Sequence, residues 1–340
     1  KVTMRIVRIV AVVCLLFGGI AAGAVDLWSA TMAPAPIVIA PDASEPVRFA
    51  AAELAQWLGR ATGAVWPVVH APEAGKKAIF VGDSSWVRER GFDPETLPPD
   101  GAWIKAAPDY LAIAGRDYPG GPLPGLIHPQ RVQEVWNETL RLNAFGEMGT
   151  LNGVCRFLEQ NVGIRWYMTG ELGTVVPELT ALTVPDGTTT VAPDFEYRYA
   201  WFCDFPEAPE DALWYRRVGF GAPAPVWLTH NVIGMLKSED SHPEYFALID
   251  GKRDFSNLSV MVGGGNLCLS NDALVQQWID DICAYFAAHP EQELYPLCPM
   301  DGMFRICDCP ACQAQLSAQL GESGKFSNYV WKFADRVARG

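Results

Sequence analysis

The chain has 340 residues, 49% hydrophobic and 19% charged, which is enough apolar material for a sizeable core and excludes wholesale disorder. Its net charge of −13, from 26 basic and 39 acidic residues, argues against a nucleic-acid partner, which would show a basic field. The 12 tryptophans supply rings of the kind that stack on sugars as well as fill cores.

At the start of the chain, Arg5 and Arg8 precede an apolar run from Ile9 to Ile20, and Ala22-Gly23-Ala24 fits a small-x-small cleavage pattern. As a helix that run spans about 18 Å, short of a bilayer core of about 30 Å. Residues 1–24 therefore read as a removable export signal, with a retained membrane anchor as the other reading. No later apolar stretch is long enough to span a membrane. Export makes disulfides possible. Lys1 precedes Met4 without an initiator, and Gly340 falls inside a helical pattern, so a fragment of a longer protein is expected.

Residues 25–35 read as a linker. Ile37-Val38-Ile39 is a short strand. A helix opens at Pro46, with Ser44 or Glu45 near its cap, and turns Val47, Ala50, Ala51, Leu54, Trp57 and Leu58 to one face before Gly63 ends it. Trp66–His70 and Ala78–Val81 read as strands, and Trp103–Ala107 with Tyr110–Ala114 as a hairpin across Pro108-Asp109. Residues 116–147 look irregular. A second helix carries Leu151, Val154, Phe157 and Leu158, and Ile164–Tyr167 is a further strand. This alternation predicts a small α/β domain over 36–185, closed by a Pro-rich boundary from Pro185 to Pro193.

A second alternation fills 194–340. Tyr197–Cys203, Val226–Val232, Leu267–Leu269 and Leu294–Leu297 read as strands. Asp211–Val218, Asp272–Ala288 and a last segment bearing Phe326, Val330, Phe333 and Val337 read as helices. Repeated βα units with polar residues just past each strand predict the first half of a TIM (β/α)8 barrel, a whole one taking about 250 residues.

The segments "EPVRFAAAELAQWLGRATGA", "AIFVGDS", "GTLNGVCRFLEQNVGIRWY", "GTVVP" and "PDFEYR" resemble the accessory domain that precedes the catalytic barrel in α-glucuronidases and β-hexosaminidases. Downstream, "HPEYFALIDGKR", "LCLSN" and "PMDGMFRICDCPACQAQ" resemble the secreted bacterial family called domain of unknown function 4838. Some members of that family are assigned as glycoside hydrolases with endo-β-N-acetylglucosaminidase activity on N-glycans. The resemblance implies an exported bacterial glycoside hydrolase (periplasmic, cell-surface or extracellular) with an oligosaccharide or glycan partner. It implies an α/β accessory domain followed by the first half of a TIM barrel. Partners of the catalytic carboxylate on later strands would then lie beyond Gly340, leaving the fragment inactive alone. Two alternatives stay open: a non-catalytic surface glycan-binding protein, and an α-glucuronidase-like hydrolase of uronic-acid polysaccharides. The last would need a cation against the substrate carboxylate, and Arg198 and Arg253 are its candidates.

Glycosidic cleavage generally needs a carboxyl pair, or one carboxyl orienting the substrate's own N-acetyl group. Asp301 follows the strand Leu294–Leu297, where a barrel keeps its chemistry, and is the candidate catalytic or orienting carboxylate; an Asp-Gly turn is the other reading. His230 and Asn231, with Trp227 three residues before His230, make a candidate sugar contact of hydrogen-bonding groups beside an aromatic platform. Asp204 and Asn271 share the same position after a strand. Tyr245 and Arg253 read as parts of a surface β-insertion. No organic cofactor is required.

Cys307-x-Cys309-x2-Cys312 is the densest cysteine cluster. Three thiolates at this spacing suit a structural zinc, but no fourth ligand is evident nearby. A disulfide to Cys268, Cys283 or Cys298 competes, and the two readings stay open. Gly82-Asp83-Ser84 resembles the nucleophile block of GDS-type esterases. That chemistry also needs an Asp three residues before a His, and none of the five histidines has one.

Overall fold

The computed structural model describes residues 23–121, 136–137, 139–143, 146–195, 198, 209–221, 242–253, 267–290, 295, 297 and 306–340. The chain divides into two compact units, Lys1–Pro225 and Val226–Gly340.

The first unit is α/β. Its strands and helices run β1 (Ala24–Ser29), β2 (Ile37–Val38), α1 (Glu45–Thr62), β3 (Val68–Val69), β4 (Ala78–Val81), α2 (Ser85–Arg88), β5 (Ala102–Ala107), β6 (Tyr110–Gly115), β7 (Trp136–Asn137), β8 (Leu142–Asn143), α3 (Gly149–Phe157), β9 (Arg165–Trp166), β10 (Thr174–Val175), β11 (Ala181–Pro185), β12 (Gly187–Val191) and α4 (Pro209–Arg217). A six-stranded mixed sheet has the order β12-β5-β6-β4-β2-β3. Strands β2, β3, β4 and β6 are parallel, and β5 and β12 run antiparallel at one edge.

Side chains alternate across a strand with period two, and both faces of this sheet are dry. From β4 and β6, Ile79, Val81, Leu111 and Ile113 join the core formed with Leu54, Trp57 and Leu58 of α1 and Leu151, Val154 and Phe157 of α3. Their neighbours Ala78, Phe80, Tyr110, Ala112 and Ala114 point the other way, onto Val87, Phe92 and Leu97. Burial on both faces explains why these strands read as continuous apolar runs. Helix α1 carries Pro46 in its first turn and ends at Gly63, whose φ of 70° is left-handed and whose N–H donates to the Gly59 carbonyl. Helix α3 lies tight on the sheet at Gly153, where a Cβ would meet Ala102 Cβ and Ile113 Cγ2 at 2.9 Å.

Three expectations are corrected. Residues 25–35 are no plain linker: β1 pairs antiparallel with β11 from Ala24↔Pro185 to Ser29↔Ala181. The stretch Pro185–Pro193 is no plain boundary either, because β12 adds to the sheet edge beside β5. The irregular stretch 116–147 contains the β7–β8 hairpin.

Described residues past Asp194 also belong to the first unit. Arg217 of α4 reaches back to Glu53, which is buried in the middle of α1, with Nε to Oε2 at 2.7 Å and Nη2 to Oε1 at 2.9 Å. Trp57 Nε1 donates to the same carboxylate at 3.0 Å, and the Arg217 guanidinium lies 4.8 Å from the Trp57 ring centroid. Trp214 Nε1 donates to the Trp166 carbonyl, and the fully buried Arg216 donates to the Gly146 carbonyl at 2.9 Å. Arg198 pairs with buried Asp100 at 2.5 Å and bridges Gly221 through its backbone.

In the second unit the described elements are the hairpin β13 (Leu248–Ile249) and β14 (Lys252–Arg253), α5 (Asp272–Ala288), the short α6 (Pro310–Gln313) and α7 (Gly321–Gly324), and α8 (Ser327–Arg339). Helix α5 has its expected span, and α8 carries Val330, Phe333 and Val337 of the expected last helix, with Phe326 at its N-cap. They pack through Leu274, Trp278, Tyr329, Phe333 and Val337, with the Trp278 and Phe333 rings edge to face at 6.4 Å. The expected strand Leu267–Leu269 is a single bridge, Phe246↔Leu267, followed by a turn. Among the described residues the second unit forms no closed barrel. The expected strand Val226–Val232 lies outside them.

Removing one partner of a buried ion pair strands the other, at about 3–5 kcal/mol. Glu53→Ala should therefore destabilise the first unit by about that much in urea denaturation followed by tryptophan fluorescence. A loss under about 1 kcal/mol, the range of a surface pair, would contradict the role given to Glu53.

Candidate functional site

Asp301, Trp227, His230, Asn231 and Asp204 lie outside the described residues. Asn271 lies within them. Its Oδ1 accepts from the N–H groups of Ala273 and Leu274 and caps α5, while Nδ2 donates to the Glu244 carbonyl at 3.1 Å. Its amide is thus engaged at both ends by local backbone.

The first unit has a cleft of about 500 Å³ at the carboxyl ends of its parallel strands. Asp42 follows β2, Asp83 follows β4, and Arg116 and Asp117 follow β6. In open α/β sheets this end is where ligands bind. Here Arg116, Asp83 and Asp117 are tied to neighbours, whereas the Ser44 hydroxyl on the same lining is buried without a hydrogen-bond partner. Arg116 pairs with Glu147 at 3.1 Å and donates to the Leu97 carbonyl, and Asp83 holds Arg88 in two hydrogen bonds. Asp117 accepts from the Thr150 N–H at 2.9 Å and from the Thr150 hydroxyl, fixing the first turn of α3. Desolvation pushes the Asp117 carboxyl up to about 7, helped by the negative charges of Asp100 and Glu147 and opposed by the Thr150 hydrogen bonds. The Asp-Ser pair of the esterase-like segment is structural too, since Ser84 caps α2 through Val87 N–H.

The densest constellation in the second unit is sulfur. Cys268, Cys307, Cys309 and Cys312 bring their Sγ atoms within 4.8 Å of one another. Cys268 follows the bridge at Leu267, Cys307 precedes α6, Cys309 caps it and Cys312 lies inside it. Cys268 Sγ is 3.8 Å from Cys309 Sγ and 3.7 Å from Cys312 Sγ, nearly twice a disulfide bond of about 2.05 Å. Cys268, Cys307 and Cys312 are buried. The fourth sulfur escaped sequence reading because Cys268 is separated from the cluster by a helix and much intervening chain. Cys283, the other described competitor for pairing, is exposed on α5. Hydrogen bonds from Cys268 and Cys307, then from Ser270 and Tyr329, pull the Cys312 thiol well below its ordinary range.

The sequence profile of the family described as domain of unknown function DUF4838 matches residues 167–340. The chain belongs to this family. The DUF4838 match spans parts of both compact units. No curated protein matches the chain. Among solved structures, the chain is similar to the GH20 β-N-acetylhexosaminidase of Streptomyces coelicolor A3(2), at 14% identity over 52% of this chain and 25% of that one, with a TM-score of 0.31. It is similar to a GH115 4-O-methyl-α-glucuronidase with specificity for decorated arabinogalactans, at 15% identity over 51% and 19%, TM-score 0.31. It is also similar to the N-acetyl-β-hexosaminidase of Streptomyces plicatus, at 14% identity over 79% and 55%, TM-score 0.32. The chain thus covers between about a fifth and just over half of these enzymes' lengths.

An acid whose pKa rises on folding is stabilised by low pH and loses that stabilisation as pH climbs through its folded value. The stability of the wild type relative to Asp117→Asn should therefore fall between pH 3.8 and about 7 and level off above. Paired thermal melts across that interval check it. A constant difference would show that Asp117 ionises at its ordinary pKa.

Proposed function

We propose that the chain is the accessory domain and the opening part of the catalytic portion of an exported glycoside hydrolase, β-N-acetylglucosaminidase-like on N-glycans. The observation that carries this reading is the fate of the segments that resemble the accessory domain of α-glucuronidases and β-hexosaminidases. "EPVRFAAAELAQWLGRATGA" is α1 with its glycine stop, "AIFVGDS" is β4 with the turn after it, and "GTLNGVCRFLEQNVGIRWY" runs through α3 into β9. All belong to one α/β unit with a shared core. In this reading Asp301 is the catalytic or orienting carboxylate, and Trp227, His230, Asn231 and Asp204 contact sugar.

The uronic-acid alternative is weakened by its two candidate cations. Arg198 is committed to Asp100 and to the Phe195 and Gly219 carbonyls. Arg253 donates to the Phe246 carbonyl at 2.6 Å and lies beside Cys307. Both guanidinium groups hold the fold together.

In the complete natural protein, Asp301→Asn should lower glycan-hydrolysing turnover by orders of magnitude and leave the thermal midpoint within a degree or two. Turnover equal to wild type would remove Asp301 from the chemistry. A wild-type protein that binds N-glycans and cleaves none would make the protein a glycan-binding module instead.

A further inference from the structure

We propose that Cys268, Cys307, Cys309 and Cys312 form a closed tetrathiolate site for one zinc ion that ties the second unit together. The metric argument comes first. Zinc holds thiolate sulfur at about 2.3 Å in a tetrahedron, and the edge of such a tetrahedron is about 3.8 Å. The Cys268–Cys309 and Cys268–Cys312 separations are 3.8 and 3.7 Å. All four sulfurs fall within 4.8 Å, so one ion at their centre reaches each with little movement. Cys309-x2-Cys312 has the two-residue spacing common in structural zinc sites.

Hydrogen-bond donors face Cys307 and Cys312. Leu248 N–H donates to Cys307 Sγ at 3.2 Å, and Arg253 Nη1 stands 3.9 Å from the same atom. Tyr329 offers its hydroxyl to Cys312 Sγ at 3.2 Å. The Tyr329 oxygen already accepts from Leu269 N–H at 3.1 Å, which leaves its proton for the sulfur. Ser270 Oγ lies 2.9 Å from Cys312 Sγ and 3.7 Å from both Cys268 and Cys309. Donors converging on ligating atoms are what orients and charges a metal site. Four soft ligands favour zinc over magnesium or calcium. With every position filled by protein, the site is structural, with no open position for a substrate.

The ion would join elements that also share one apolar core. Cys268 brings in the turn that leads to the Asn271 cap of α5, and Cys307 brings in β13 through Leu248 N–H and Asp308 N–H to the Leu248 carbonyl. Cys309 and Cys312 bring in α6, and Tyr329 brings in α8.

The test uses the full chain purified without chelator. Metal analysis should find one zinc per chain, and differential alkylation with mass spectrometry should find these four cysteines protected until a strong chelator is added, while Cys283 reacts throughout. Replacing zinc with cobalt(II) should give the visible absorption of tetrahedral cobalt–thiolate. Tyr329→Phe should weaken zinc by about ten- to a hundredfold, Cys268→Ser should abolish stoichiometric zinc, and Cys283→Ser should leave it unchanged. If Cys268→Ser fails to fold, the alkylation and cobalt measurements on the wild type still decide. Absence of zinc with a disulfide among the four, or full reactivity of all four before chelator, would overturn the proposal.

Discussion

Four sulfur atoms from two distant stretches of chain converge on one point in the second unit, and the described elements there are arranged around it. Among the described residues, the apolar core beside them takes in the contact of α5 with α8 and runs on through Tyr245, Phe246, Ala247, Leu267, Leu269 and Ile306. A hairpin of two-residue strands and a four-residue helix bury too little surface to hold themselves in place. With the proposed ion bound, the cysteines and their donors would add to the apolar core in fixing their positions. A bound ion supplies folding free energy in such a unit, because its ligands come together only in the folded chain.

The first unit depends on a different constraint. Its sheet is dry on both faces, so its limits are set by whatever covers the edges and the helical layer. Strands β1 and β11 close one flank, β12 extends the sheet, and α4 anchors through Arg217 to Glu53. A carboxylate buried mid-helix is costly unless paired, and here one guanidinium and one indole N–H satisfy it together. That pairing draws residues expected to open the next domain into the first unit. The DUF4838 match begins at residue 167, before α4, so the matched region and the compact units do not share a boundary.

Legibility in the sequence followed burial. Helix α1, strands β4, β5 and β6, and helices α3, α5 and α8 were readable because one face, or both, is apolar with a clear period. Strand β12 was hidden because Gly187–Thr190 are exposed, and a Gly-Thr-rich edge strand under a Pro-rich flank carries no apolar alternation. Strand β11 does alternate, with Leu182 and Val184 inward, but it is short and bordered by Pro185. Leu267–Leu269 reads as a strand by composition, yet the run is committed to a turn that delivers Asn271 to its cap. For the site, Cys307, Cys309 and Cys312 were visible as a motif. Cys268 was visible only as a competitor for pairing, since no local pattern tells which distant cysteine the fold brings near. The candidate carbohydrate contacts Asp301, Trp227, His230, Asn231 and Asp204 come from sequence position and resemblance and lie outside the described residues.

Zinc K-edge X-ray absorption on the purified chain reads the central claim directly, because it counts and identifies the atoms bound to the metal. A first shell of four sulfurs at about 2.3 Å is the expected result. A shell with nitrogen or oxygen in place of sulfur, or a preparation with no bound zinc to measure, would contradict the tetrathiolate centre.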